Sequence, residues 1–226
     1  MNLAQLLIGS ARRLPDQPAV AVGKRVLLSY RTLSHRVARL AAGMVSKFQL
    51  EPGERVALAM KNCPQYWEVL FACWHAGLTA VPMNAKLHPK EFEYILGHCG
   101  AKVCFLTPGI ECSFGNSVLT GSKDYENLKS EPRTPADSKP DDAAWLFYTS
   151  GTTGVPKGAM LTHRNILFAS QAYFADIDKL APGDAILHPA PLSHGSGLYG
   201  VPHFAAGALN VIPESGGFDA AEIFDL

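Results

Sequence analysis

The sequence lacks the features that would mark a nucleic-acid binder, a zinc protein or a membrane span. Lysine plus arginine and aspartate plus glutamate both total 20, so the formal net charge is zero. Charged residues make up only 18% of the chain and form no block of one sign, which leaves no electrostatic footprint for nucleic acid. The five cysteines (Cys63, Cys73, Cys99, Cys104 and Cys112) form no C-x-x-C pair, which argues against a zinc or dithiol redox motif. Cys73 and Cys104 sit in apolar runs and read as buried thiols, and a reducing, cytoplasmic compartment fits this usage. No two histidines show H-x-x-x-H spacing. The Met1–Ile8 segment has no basic start, and its apolar run is too short for a signal peptide. The longest apolar region, 69–83, is broken by His75, Gly77 and Pro82 and is too short to span a bilayer. Peripheral membrane association stays open, as does the oligomeric state.

What is present is the patterning of an α/β protein. Hydrophobic residues are 47% of 226, enough for one large domain or two small ones. Helical spacing predicts helices over 30–44, 64–75 and 89–96. Short, wholly apolar runs at 56–60, 80–82 and 103–106 predict strands of a parallel sheet covered on both faces. Residues 107–142 are rich in Pro, Ser, Gly, Asp and Lys and read as a long connection with one short helix at 125–128. Beyond it come a strand at 144–148, a short strand at 159–161, a helix capped by Thr162, strands at 185–188 and 208–212, and a helix over 218–226. The expected fold is layered, parallel-rich sheets flanked by helices in a doubly wound α/β arrangement. The expected organisation is a first sub-layer at 1–106, a connection at 107–142 and a second sub-layer at 143–226.

The most informative stretch is Tyr148-Thr-Ser-Gly-Thr-Thr-Gly-Val-Pro-Lys-Gly158. Thr149, Ser150, Thr152 and Thr153 offer hydroxyls, while Gly151 and Gly154 let the backbone approach a ligand closely. Successive N–H groups in such a loop can form an anion-binding nest, and Lys157 adds a positive charge suited to phosphate. The spacing is not G-x-x-x-x-G-K-[ST], since Lys157 precedes Gly158 and Pro156 precedes the lysine. An ordinary surface loop rich in glycine and hydroxyls is the plainer alternative.

This loop, continued by Met160-Leu-Thr-His-Arg-Asn165, resembles the signature loop of the adenylate-forming superfamily, which includes the acyl-CoA synthetases. Four further segments resemble landmarks of that family in the family's order: Leu28-Ser-Tyr-Arg-Thr-Leu33, Pro52-Gly-Glu-Arg-Val56, Ala76-Gly-Leu-Thr-Ala-Val-Pro82 and Pro191-Leu-Ser-His-Gly195. The resemblance implies adenylation of a carboxylic acid by ATP with release of pyrophosphate, then acyl transfer to coenzyme A. It implies that Thr149, Ser150, Gly151, Thr152, Thr153, Gly154 and Lys157 hold the phosphates, with Thr149 also at the magnesium ion. It also implies that His194 lies near the reacting carboxylate. Family members that use α-amino acids carry an aspartate near that histidine; Leu192-Ser-His-Gly-Ser196 has none, which favours a plain carboxylic acid. Leu198, Tyr199, Val201 and Phe204 suit a fatty or aromatic acyl group or, equally, a core. His163 and Asn165 fit the start of a helix better than catalysis.

The family's adenine contacts, magnesium glutamate and catalytic lysine correspond to nothing within 1–226. The expected chain is therefore an N-terminal portion of a longer enzyme, without turnover of its own. Two other readings stand beside it: a nucleotide-phosphate-binding module without catalysis, and an unrelated P-loop NTPase, against which the position of Lys157 speaks.

Overall fold

The computed structural model describes residues 1–149 and 156–226. In chain order the elements are α1 (Ala4–Arg13), β1 (Pro18–Val22), β2 (Arg25–Ser29), α2 (Tyr30–Phe48), β3 (Arg55–Ala59), α3 (Pro64–His75), β4 (Thr79–Met83), α4 (Pro89–Cys99), β5 (Ala101–Leu106) and β6 (Ser117–Leu119). They continue with α5 (Lys123–Asn127), β7 (Ala143–Thr149), β8 (Lys157–Thr162), α6 (His163–Ala172), β9 (Ala185–Leu187), α7 (Gly195–Ala206), β10 (Leu209–Ile212) and α8 (Ala220–Asp225). One wide helical turn, Tyr173–Ile177, follows α6.

The strands form two sheets, ordered β2-β1-β10-β9 and β6-β5-β3-β4-β7-β8. All neighbours are parallel except β1/β2 and β7/β8. Each sheet draws strands from both sides of residues 107–142, so that stretch does not divide the layers. Nor is it only a connection: β6 inside it extends the larger sheet beside β5.

The larger sheet is covered on both faces, as its uniformly apolar strands require. Side chains alternate along each strand. Val56 and Leu58 of β3 and Val103 and Phe105 of β5 enter the main core, while Ala57, Ala59, Cys104 and Leu106 enter a second cluster under α4. In the main core α3 is buried continuously from Tyr66 to His75, and it contacts α1, α2 and strands of both sheets. Trp67, Phe71 and Phe204 meet there edge-on, with ring centroids 5.0 Å apart in each pair to Phe204.

Local signals explain the ends of the elements. Ser29 accepts the Thr32 N–H at the start of α2, and Gln49 ends it in a left-handed conformation. Thr162 and Asn165 form a reciprocal capping box at α6: the Thr162 hydroxyl accepts the Asn165 N–H at 3.1 Å, and Asn165 Oδ1 accepts the Thr162 N–H at 3.0 Å. Thr162→Ala is expected to cost about 1 kcal/mol. In a thermal melt that reads as a fall of roughly 2–4 °C, and an unchanged midpoint would contradict the cap's role. His163 Nδ1 accepts the Leu3 N–H and ties α6 to α1, in line with a structural role for this histidine.

Four elements differ from the sequence reading. β1 and β2 form a hairpin where no strand is expected, and β6 is an unexpected edge strand. The sequence reads 191–197 as a small-residue loop and predicts no helix after it, yet Gly195–Ala206 form α7, because Gly197, Gly200, Val201 and Phe204 are buried against the core. No described helix is long and apolar enough to cross a membrane. In α8 Phe224 is 92% exposed, and Phe218 just before it is 77% exposed.

Candidate functional site

Ligands of open parallel sheets bind outside the carboxyl ends of the strands. A cavity of about 300 Å³ lies there, at the ends of β4 and β7. Pro82, Met83, Leu87 and Ile95 give it apolar walls, and Thr149, Tyr148, Pro156, Asn84, Glu91 and His194 complete it. Thr149 and His194, 45 positions apart and on separate sheets' extensions, thus face one space.

Thr149 is the last residue of β7 and is exposed. β8 runs antiparallel to β7 with Lys157 directly opposite Thr149, so the hydroxyl and the ammonium stem share one end of the sheet. Ser150, Gly151, Thr152, Thr153 and Gly154, the remaining expected phosphate contacts, lie outside the described residues. Lys157 does not line the cavity.

His194 sits at the N-cap position of α7. Its Nδ1 is hydrogen-bonded to Ser193 Oγ at 2.9 Å, and its ring meets Phe147 edge-on at 5.2 Å. Phe147 is on β7, two residues before Thr149, so one strand supports both groups. Leu198, Tyr199, Val201 and Phe204 do not line the cavity. Val201 and Phe204 are fully buried in the core, while Tyr199 is 51% exposed.

Tyr148 was read only as the start of the loop. Its hydroxyl is hydrogen-bonded to His98 Nδ1 at 2.6 Å, and the His98 ring stacks on Tyr94. Burial pushes the Tyr148 phenol up to about 12, so it stays protonated at neutral pH. Glu91 is the carboxylate on the cavity wall, but it accepts the His88 N–H at 2.8 Å in the capping box of α4.

A second cavity, about 580 Å³, adjoins the first at Asn84. Lys61 and Lys86 are on its wall with no acidic residue, and Pro189–Pro191 close one side. The sequence reading missed Asn62 and Asn84. A polar residue just past an apolar strand, as in Met60-Lys-Asn62 and Met83-Asn84, was the available signal.

The described residues contain no group of three or more His, Cys, Asp or Glu able to hold a metal ion. What they offer ATP and magnesium is a threonine oxygen of the type that ligates magnesium, opposite a lysine at one end of the sheet. That donor set fits a magnesium–polyphosphate group with other ligands supplied elsewhere.

A family model described as AMP-binding enzyme matches residues 8–226. The chain is 39% identical over 194 residues to feruloyl-CoA synthase of an Amycolatopsis species, covering 83% of this chain and 38% of that protein. Among solved structures, the inhibitor-bound N-terminal domain of FACL13 from Mycobacterium tuberculosis superposes with a TM-score of 0.86 at 26% identity, over 99% of this chain and 59% of that one. ATP-bound MatB from Rhodopseudomonas palustris superposes at 0.85 and 26% identity, over 100% of this chain and 48% of that one. The chain thus spans less than half the length of the curated relative it matches.

Proposed function

The chain belongs to the AMP-binding enzyme family, and on that premise we propose that it is the N-terminal part of an ATP-dependent acid–thiol ligase of the acyl-CoA synthetase type. The reaction joins a carboxylate to the α-phosphorus of ATP with loss of pyrophosphate, then passes the acyl group to coenzyme A. The observation that carries this reading is the shared cavity of Thr149 and His194, with Lys157 opposite Thr149.

In this reading Lys157 and the loop 149–154 hold the β- and γ-phosphates, where positive charge and N–H groups offset the charge of the leaving pyrophosphate. The Thr149 hydroxyl is a magnesium ligand; the ion, when bound, neutralises phosphate charge. His194 meets the substrate carboxylate, and the apolar walls at Met83, Leu87 and Ile95 receive the acyl group. A cavity of about 300 Å³ is at the small end for ligand sites. It suits an aryl acid or a short alkyl acid, and the name of the feruloyl-CoA synthase relative points the same way. Five free thiols support a reducing, cytoplasmic setting. The match covers 38% of the length of the feruloyl-CoA synthase relative, and in this reading the chain alone does not turn over.

The test is pyrophosphate binding by the folded chain, followed by acid-dependent exchange of pyrophosphate into ATP. Lys157→Ala is expected to weaken pyrophosphate about tenfold, the scale of one charge-assisted contact. The unmodified chain should show no exchange with any acid from acetate to long-chain and aryl acids. Exchange should appear in a longer polypeptide that carries the chain, with one class of acid. Affinity indifferent to Lys157 would overturn the assignment of the phosphate site. ATP hydrolysis without any acid would turn the reading to an NTPase.

A further inference from the structure

The candidate site is built from two sheets. Thr149 ends a strand of the larger sheet, whereas His194 follows β9 of the smaller one. A site of that kind needs something to fix one sheet end against the other, because a displacement of about 1 Å at reacting groups is enough to cost rate.

Asn62 stands at that junction. It lies three residues beyond β3, in the middle of the larger sheet. Its Nδ2 donates to the carbonyl oxygens of His188 and Ala190, each at 2.9 Å, and its Oδ1 accepts the Leu192 N–H at 2.9 Å. One planar amide thus satisfies three backbone groups of the segment that runs from β9 to His194. Only a side chain with two donors and an acceptor on one head can do this; a carboxylate of the same shape would place oxygen against two carbonyls. The orientation of the amide follows from its partners, two acceptors on one side and a donor on the other. Tyr66, fully buried on α3, holds the same segment through its hydroxyl to the Leu192 carbonyl at 3.0 Å.

We propose that Asn62 is a positioning residue, whose amide ties the loop after β9 to the end of β3 and thereby sets where His194 stands relative to Thr149. The proposal rests on the reading that His194 meets the substrate carboxylate. It predicts that Asn62 governs carboxylate affinity and leaves nucleotide affinity alone, since the phosphate loop belongs to β7 and β8.

The experiment uses the folded 226-residue chain. Amide exchange by NMR reads the tie itself, and binding of cinnamate, octanoate and ATP reads its consequence. In the unsubstituted chain the Asn62 side-chain amide protons should exchange more slowly than those of exposed Asn127; equal exchange overturns the proposal without any variant. In Asn62→Ala the Leu192 N–H should exchange about tenfold faster, carboxylate affinity should fall about tenfold, and ATP affinity should stay within about twofold. Asn62→Asp, with the same volume, keeps an acceptor for the Leu192 N–H but sets oxygen against the His188 and Ala190 carbonyls; it should fail to restore carboxylate affinity, and it supplies the affinity readouts if the alanine variant does not fold. Faster Leu192 exchange with unchanged carboxylate affinity would overturn the positioning role, as would equal losses for carboxylate and ATP. If the unsubstituted chain binds neither acid, the functional reading of His194 fails and the proposal with it, while the exchange data still decide whether the tie exists.

Discussion

Gly197→Ala is expected to lower stability by about 3 kcal/mol or more. A Cβ at this position, in the first turn of α7, would lie 2.0 Å from the Leu192 carbonyl oxygen and 3.2 Å from the Trp145 ring. The Leu192 peptide has no room to yield. Its N–H is held by Asn62, its carbonyl by Tyr66, and its side chain is buried. Relief therefore requires moving α7 or the segment before it, and with either the position of His194. The melting midpoint should fall by roughly 6–12 °C, given the usual conversion for a chain of this size. Gly195→Ala is the internal control: two residues away, a Cβ there meets nothing within 4 Å, and the midpoint should hardly move. Equal behaviour of the two variants would refute the steric account.

Acid should destabilise the chain well before its carboxylates titrate. Burial pushes the imidazoles of His188 and His163 down to about 4 from 6.5. His188 is fully buried, with Nδ1 hydrogen-bonded to Ser196 Oγ and Nε2 to Asn210 Oδ1. His163 is 1% exposed and uses its Nδ1 as an acceptor, which protonation would abolish. Burial lowers His75 and His203 as well. Both folded values for His188 and His163 lie below the unfolded value. The unfolded chain therefore binds more protons between about pH 6.5 and 4, and stability falls as pH falls through that window. At pH 5 the loss from these two groups is about 2 kcal/mol each. Melting midpoints between pH 7.5 and 5 should show a drop of roughly 8–16 °C. In His163→Gln the slope should be close to halved. A midpoint that stays level across this range would show that neither histidine is held neutral.

The legible parts of the fold were those in which local pattern and final environment agree. β3 and β5 read as doubly covered strands from Val56-Ala-Leu-Ala and Val103-Cys-Phe-Leu, and each does place alternate residues in the two cores. α3 and α6 were legible from Pro64 and from the Thr162 cap. The strand β1 was not, because its partner β10 is near the other end of the chain and no local signal announces it. The helix α7 was hidden by Gly195, Gly197, Gly200 and Pro202, residues that disfavour a helix in isolation. At the candidate site, Thr149 and Lys157 could be read together because they are close in sequence. His194 came from the resemblance, and its sharing of a cavity with Thr149 is a product of tertiary folding. The place of Asn62 just past a strand was a signal, but its tie was not legible for the same reason: all three of its partners lie about 130 residues further on.

That pairing of β1 with β10 has a consequence for synthesis on the ribosome. The β1–β2 hairpin emerges early, but roughly 190 residues separate β1 from the strand that completes its parallel edge. At about 5–20 residues per second the wait is some tens of seconds at least at the slow end. Throughout it the nascent chain presents the inward face of Ala19 and Val20 and an open row of backbone groups. Chaperone attendance on this chain should therefore concentrate on its first thirty residues or so and end once Leu209–Ile212 has cleared the exit tunnel.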